Sequence, residues 1–113
     1  MSFNLNTDRL LLYLFHALKK KENDPSVLVS ELTNGIAIEV SGIHDVLRIV
    51  DSLGRIGAHY ELSSYYDDVT ENEDLEKRVP DGASINIFSY DQKLFANFDP
   101  LVDILVEQKQ RRD

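Results

Sequence analysis

Between Gly35 and Tyr66 the chain changes its hydrophobic period twice within about thirty residues, and few folds accommodate that order. Ile36, Ile38 and Val40 alternate with Ala37 and Glu39, the period of a half-buried strand. Ser41 follows where a helix N-cap belongs. Apolar residues then recur at Ile43, Val46, Leu47, Val50 and Leu53, with Asp45, Arg48, Ser52 and Arg55 on the opposite side. Gly54 falls on the apolar side, which predicts close packing against a sheet. Gly57 stands where a left-handed residue would stop the helix. A second alternating run, Tyr60, Leu62, Ser64 and Tyr66, begins at once. The centre of the chain is therefore strand, helix, strand.

The flanks extend this unit. Asn6 or Thr7 is placed to cap a first helix over 8–21, with Leu11, Leu14, Phe15 and Leu18 as its stripe and Leu10 and Ala17 widening it. Lys19, Lys20 and Lys21 fall in its last turn, where cations favour the terminal carbonyls, and the expectation is a solvated helix end. Residues 24–35 support two readings. Asp24-Pro25 resembles a cap followed by proline at the first helical position, but VLVSELT is rich in strand formers and Asn34-Gly35 is a strong hairpin signal. We expect a hairpin, 27–33 against 36–40. Pro80-Asp81-Gly82 marks a turn, and Ser84 to Tyr90 alternates, with Ile85 and Ile87 on one face and Asn86, Phe88 and Tyr90 on the other. A strand over 58–66 should pair with it across a long loop. Asp99-Pro100 then opens a last helix striped by Leu101, Ile104 and Leu105. The order α-β-β-α-β-β-α predicts one α+β domain over 1–113: an antiparallel sheet of about four strands with helices on one face. Ile36, Ile38, Val40, Leu62, Ile85 and Ile87 should face the helices, and Tyr65, Phe88 and Tyr90 the far side. If 25–33 were helical instead, the order would resemble a winged helix, with helix 43–56 as the recognition helix.

The 113 residues are 42% apolar and 28% charged, a globular balance, and carry a formal charge of −8. Seven acids, Glu61, Asp67, Asp68, Glu71, Glu73, Asp74 and Glu76, lie in one stretch without Lys or Arg. The other 13 of the 20 acids nearly balance the 12 bases. One acidic segment is thus attached to a nearly neutral protein, which disfavours nucleic acid and anionic membranes as partners. There is no cysteine, hence no disulfide and no thiolate metal site. The N-terminus lacks a signal-peptide pattern and no apolar run approaches a membrane span, so a cytoplasmic protein is expected.

Recognisable chemistry is sparse. His16, His44 and His59 fall on three different elements, none at ligand spacing from another. Asp68, Thr70, Asn72 and Asp74 alternate as the start of a calcium loop does. Position six of that register is Glu73 rather than glycine, and position twelve is Val79 rather than glutamate. No phosphate-binding glycine loop, nucleophile elbow or paired-cysteine motif occurs, so neither a catalytic site nor a cofactor is expected. The composition favours a non-catalytic, regulatory protein-binding module of inhibitor, immunity, adaptor or chaperone type. It would act on a protein partner, a basic one, through Asp67, Asp68, Glu71, Glu73, Asp74 and Glu76 together with an aromatic sheet face of Tyr65, Phe88 and Tyr90. These aromatics would be either covered by the first or last helix, since small domains rarely leave aromatic patches open, or left as an open face, which would also make a homodimer. The alternatives are a winged-helix regulator binding DNA, whose 43–56 helix would carry balanced charges, and a DNA mimic, whose acids would have to spread beyond one loop.

Overall fold

The computed structural model describes residues 7–21 and 23–98. The elements run α1 (Thr7–Leu18), β1 (Val27–Leu32), β2 (Gly35–Ser41), α2 (Ile43–Arg55), β3 (His59–Tyr65), β4 (Gly82–Ser89) and the short helix α3 (Gln92–Phe95). The four strands form one antiparallel sheet in the order β1-β2-β4-β3, so β1 and β3 are its edges. This is the α-β-β-α-β-β-α order that the periodicities predict. Residues 27–32 are strand, which removes the second helix that a winged helix requires. The last helix predicted from Asp99-Pro100 lies outside the described residues.

The sheet's inner face is built from alternate residues of its central strands. Ile36, Ile38, Val40, Ile85 and Ile87 are each at most 1% exposed. They sit in register, Ile36 opposite Ile87 and Ile38 opposite Ile85. Leu62 shares that face opposite Ile85 but remains 41% exposed, because β3 is an edge that the helices do not fully cover. From α1, Leu10, Tyr13, Leu14, Phe15 and Leu18 are buried. The Tyr13 ring meets Phe95 edge-on at 5.7 Å, and Phe95 lies 5.0 Å from Tyr90. Burial pushes the Tyr13 hydroxyl pKa up, against the opposing pull of Arg55 and Ser52.

Several local expectations need correction. The buried stripe of α2 is Val46, Ile49 and Leu53, continued by Ile56; Leu47 is 59% exposed. The helix is turned so that Ser52 is buried beside α1's layer and donates to the Arg48 carbonyl one turn back (3.0 Å). Gly54 points outward, with nothing within 4 Å of where a Cβ would stand, so it packs against no sheet. Ser41 does not cap α2: Gly42, at φ 95°, is the N-cap residue, and the chain turns from strand into helix through this left-handed position. Gly57 does adopt a left-handed φ of 60° just after the helix. The hairpin turns through Thr33 and Asn34, neither at positive φ, and Gly35 already belongs to β2. Its missing side chain is needed for close approach, since a Cβ there would lie 2.0 Å from the Ile87 carbonyl oxygen.

The lysine cluster is not simply a solvated helix end. α1 stops at Leu18, Lys19 takes a left-handed φ of 58°, and Lys20 turns inward to pair with Asp45 in the first turn of α2. The Lys20 and Asp45 side chains are only 21% and 19% exposed. Lys20 Nζ also donates to Ser26 Oγ (2.6 Å), and Asp24 lies within reach at 3.7 Å. One cation therefore ties the end of α1 to the starts of β1 and α2. Its bond to Asp45 outweighs the cost of burial and raises the Lys20 pKa.

Candidate functional site

The alternate residues of the same strands point to the sheet's other face, which no described element covers. Across the sheet, Leu28, Glu39, Ser84 and Ser63 form one row, and Ser30, Ala37, Asn86 and Glu61 the next. At one end Ser41, Gly82 and Tyr65 stand side by side; at the other, Leu32 and Phe88 flank Gly35. Glu39 and Glu61 are exposed, and no Lys or Arg stands on this face among the described residues.

Tyr65 and Phe88 share this face, as parity predicts, but they do not meet. Tyr65 is level with Gly82, six residues before Phe88, which separates them by about 20 Å along the strand. Tyr90 is not on the face at all. β4 ends at Ser89, the strand alternation ends with it, and Tyr90 turns into the core against Phe95, 7% exposed. The aromatic platform is therefore two separate residues, one at each end of a surface of serines, carboxylates and a few apolar side chains.

Tyr65 has a structural task. Its ring lies over Gly82, where a Cβ would come within 2.4 Å of the phenolic oxygen and 2.2 Å of the Val40 carbonyl oxygen. The hydroxyl donates to the Val40 carbonyl (3.3 Å) and lies 3.2 Å from Ser41 Oγ. Glycine leaves the pleat bare, and the ring covers it. Beside this ring a groove of about 420 Å³ opens, lined by five serines from Ser26 to Ser84, by Leu28, and by Glu39 and Asp67. The serines bring hydroxyl donors and acceptors to it, and Glu39 and Asp67 bring acidic side chains, beside a larger share of apolar surface.

The acidic segment leaves β3 at this same end, and it is organised by one arginine. Arg78 donates to Glu73 (Nη1 to Oε1, 2.8 Å), to Asp81 (Nη2 to Oδ2, 2.7 Å) and to the Asp67 carbonyl (2.6 Å). Asp81 Oδ2 also accepts the Asp67 N–H (2.7 Å), and the guanidinium lies 5.7 Å from the centre of the Tyr66 ring. The root of this knot is stitched to the sheet, where the Asp81 N–H donates to the Tyr65 carbonyl (3.0 Å) and its carbonyl accepts from Gly42 (2.7 Å). Within the loop Glu73 accepts the Thr70 N–H (3.2 Å), and Asp74 accepts from Glu76 (3.1 Å). The acids of this segment are therefore not equivalent. Glu73 and Asp74 hold the loop's shape, while the Asp68, Glu71 and Glu76 side chains have no hydrogen-bond or ion-pair partner among the described residues.

Sequence reasoning missed Arg78, Asp81 and Glu39, and counted Glu61 with the acidic segment rather than with the sheet face. The alternation that placed Ile36, Ile38 and Val40 inward also placed Glu39 outward, so that signal was present. Nothing in a linear reading pairs Arg78 with Glu73 and Asp67, because their meeting depends on the path of the loop. Among the described residues no group of three or more His, Asp or Glu could hold a metal ion, and no helix is long and apolar enough to cross a membrane. His16, His44 and His59 are exposed on three separate elements. Compared with family models, curated proteins and solved structures, the chain has no significant match.

Proposed function

We propose that this protein is a non-catalytic, regulatory protein-binding module that receives a basic protein partner on its open sheet face. The observation that carries this reading is the charge of that face. Glu39 and Glu61 stand on it, Asp67 lines its groove, Asp68, Glu71 and Glu76 belong to the loop that leaves it at the Tyr65 end, and no described Lys or Arg stands on the face itself. A one-signed field of this kind speeds encounter with an oppositely charged surface and repels polyanions, so nucleic acid is not the ligand on this reading. The serine hydroxyls and the two apolar ends supply short-range contacts once the partner has docked. The arginine knot holds the acidic loop beside the groove, so its charges need not be ordered on binding.

Affinity capture from the native host tests this with two proteins side by side. One is wild type and the other carries Glu39→Gln, Glu61→Gln, Asp68→Asn and Glu71→Gln. Glu73, Asp74 and Asp81 stay in place because they shape the loop. The expected partner is basic, is retained by wild type, is released by raised salt and is absent from the variant. An identical set of partners from both proteins would refute the acidic-face reading.

A further inference from the structure

The two edges of the sheet are not equivalent. β3 carries a register irregularity between His59 and Tyr60 and runs directly into the acidic segment. Bulges and neighbouring charge both discourage the addition of another strand. β1 has neither. It pairs with β2 in unbroken register from Val27 to Leu32, contains no proline, lysine or arginine, and leaves Leu28 58% and Leu32 42% exposed.

The hydrogen-bond phase of β1 limits what can pair there. The Ser41 N–H donates to the Ser26 carbonyl (2.9 Å), continuing by one residue the register that sets Val27 opposite Val40. In an antiparallel ladder alternate residues bond to the same neighbour. Even-numbered residues of β1 therefore bond to β2, and Val29 and Glu31 turn their N–H and C=O groups outward, while the Val27 N–H is taken by the Asp24 carbonyl (3.1 Å). Two copies meeting antiparallel across a two-fold axis must then pair odd residues with odd ones. A register centred on Glu31 sets two carboxylates face to face, which is destabilising. One centred on Val29 sets Leu28 against Ser30. The register centred on Ser30 sets Leu28 of each copy opposite Leu32 of the other, both on the open face.

We propose that β1 is a self-association edge, taking a second copy of this chain antiparallel with Ser30 facing Ser30 across the two-fold axis. Two leucine pairs then flank the axis, and Val29 and Glu31 exchange about four backbone hydrogen bonds. The result is one eight-stranded sheet whose open face runs unbroken across the seam and whose outer edges are the two blunted β3 strands. The symmetry closes, so association stops at two copies.

The chain has no cysteine, which makes a single-cysteine test unambiguous. In this register Ser30 is a non-hydrogen-bonded pair with Cα atoms about 4.5 Å apart, within disulfide reach. Under mild oxidation Ser30→Cys should cross-link at least about tenfold faster than Ser63→Cys, an exposed position away from the seam, because the seam raises local concentration. Glu31→Pro removes an outward N–H without touching the ladder to β2. It should give a monomer by light scattering, with unchanged circular dichroism, where wild type is a dimer. A monomeric wild type, a dimer that survives Glu31→Pro, or equal cross-linking at positions 30 and 63 would each overturn the proposal. None of these outcomes bears on the acidic-face reading, whose test is partner capture.

Discussion

The two faces of the central strands differ by one residue of offset, yet they do opposite work. On β2 and β4 the inward residues Ile36, Ile38, Ile85 and Ile87 are sealed under α1 and α2, and the outward residues Ala37, Glu39, Ser84 and Asn86 are small or polar. Burial on one side supplies the free energy that holds the sheet, so the other side is free to be chosen for what it meets. The contrast has two exceptions. Gly82 and Tyr65 lie on the open face but interlock as tightly as core residues, and Lys20 and Asp45 put a charged pair among the helices.

The largest effect should come from the covered face. Ile85→Ala leaves a cavity in the inner row between Ile38 and Leu62, and truncations of this kind cost about 2–5 kcal/mol, readable as a lowered denaturant midpoint at unchanged slope. Gly82→Ala tests the first exception. The new methyl would meet the Val40 carbonyl and the Tyr65 hydroxyl, and backbone cannot yield cheaply. Overpacking costs of about 1–3 kcal/mol follow, far more than an exposed position would show. A neutral Gly82→Ala would mean that the ring simply swings away.

Next comes the pH dependence of the polar clamp. Asp24 Oδ1 accepts from the Ser26 hydroxyl (2.7 Å) and the Ser26 N–H (2.9 Å), and with Lys20 nearby these bonds lower its pKa. A lowered folded value means that its stabilisation is present above the ordinary aspartate value of 3.8 and is lost as pH falls through the lowered one. Lys20 has the opposite sign: its share is complete below the ordinary lysine value of 10.5 and is lost as pH rises through the raised one. Thermal melts of Asp24→Asn should therefore approach wild type at the acid end and diverge from it near neutrality. The smallest effect belongs to the open face. Ser63→Ala and Ser84→Ala should each change stability by no more than about 0.5 kcal/mol. A larger loss at either would show that the groove serves the fold rather than a partner.

Periodicity carried most of the fold. The strand–helix–strand centre, the hairpin and the β3–β4 pairing were legible because alternate burial and helical burial leave different spacings. The hairpin was nonetheless found through Asn34-Gly35 for a reason that does not hold, since the turn lies one residue earlier and Gly35 is there for clearance beneath Ile87. The helix stripe of α2 was read about a quarter-turn off, because Leu47 is as apolar as Ile49 and only packing says which faces inward.

The residues of the candidate surface divide in the same way. Their side of the sheet follows from parity wherever the strand continues, hence Glu39, Glu61, Tyr65 and Phe88. Parity fails at Tyr90, one residue past the end of β4. What the sequence determined by itself was the order of elements and the apolar face of each strand, because both depend on neighbours two to four residues away. What only the tertiary structure decided was which acids are free and which are held. Arg78 gathers Glu73, Asp81 and the Asp67 carbonyl from positions up to eleven residues apart, and a bond of that span leaves no periodic trace in the chain.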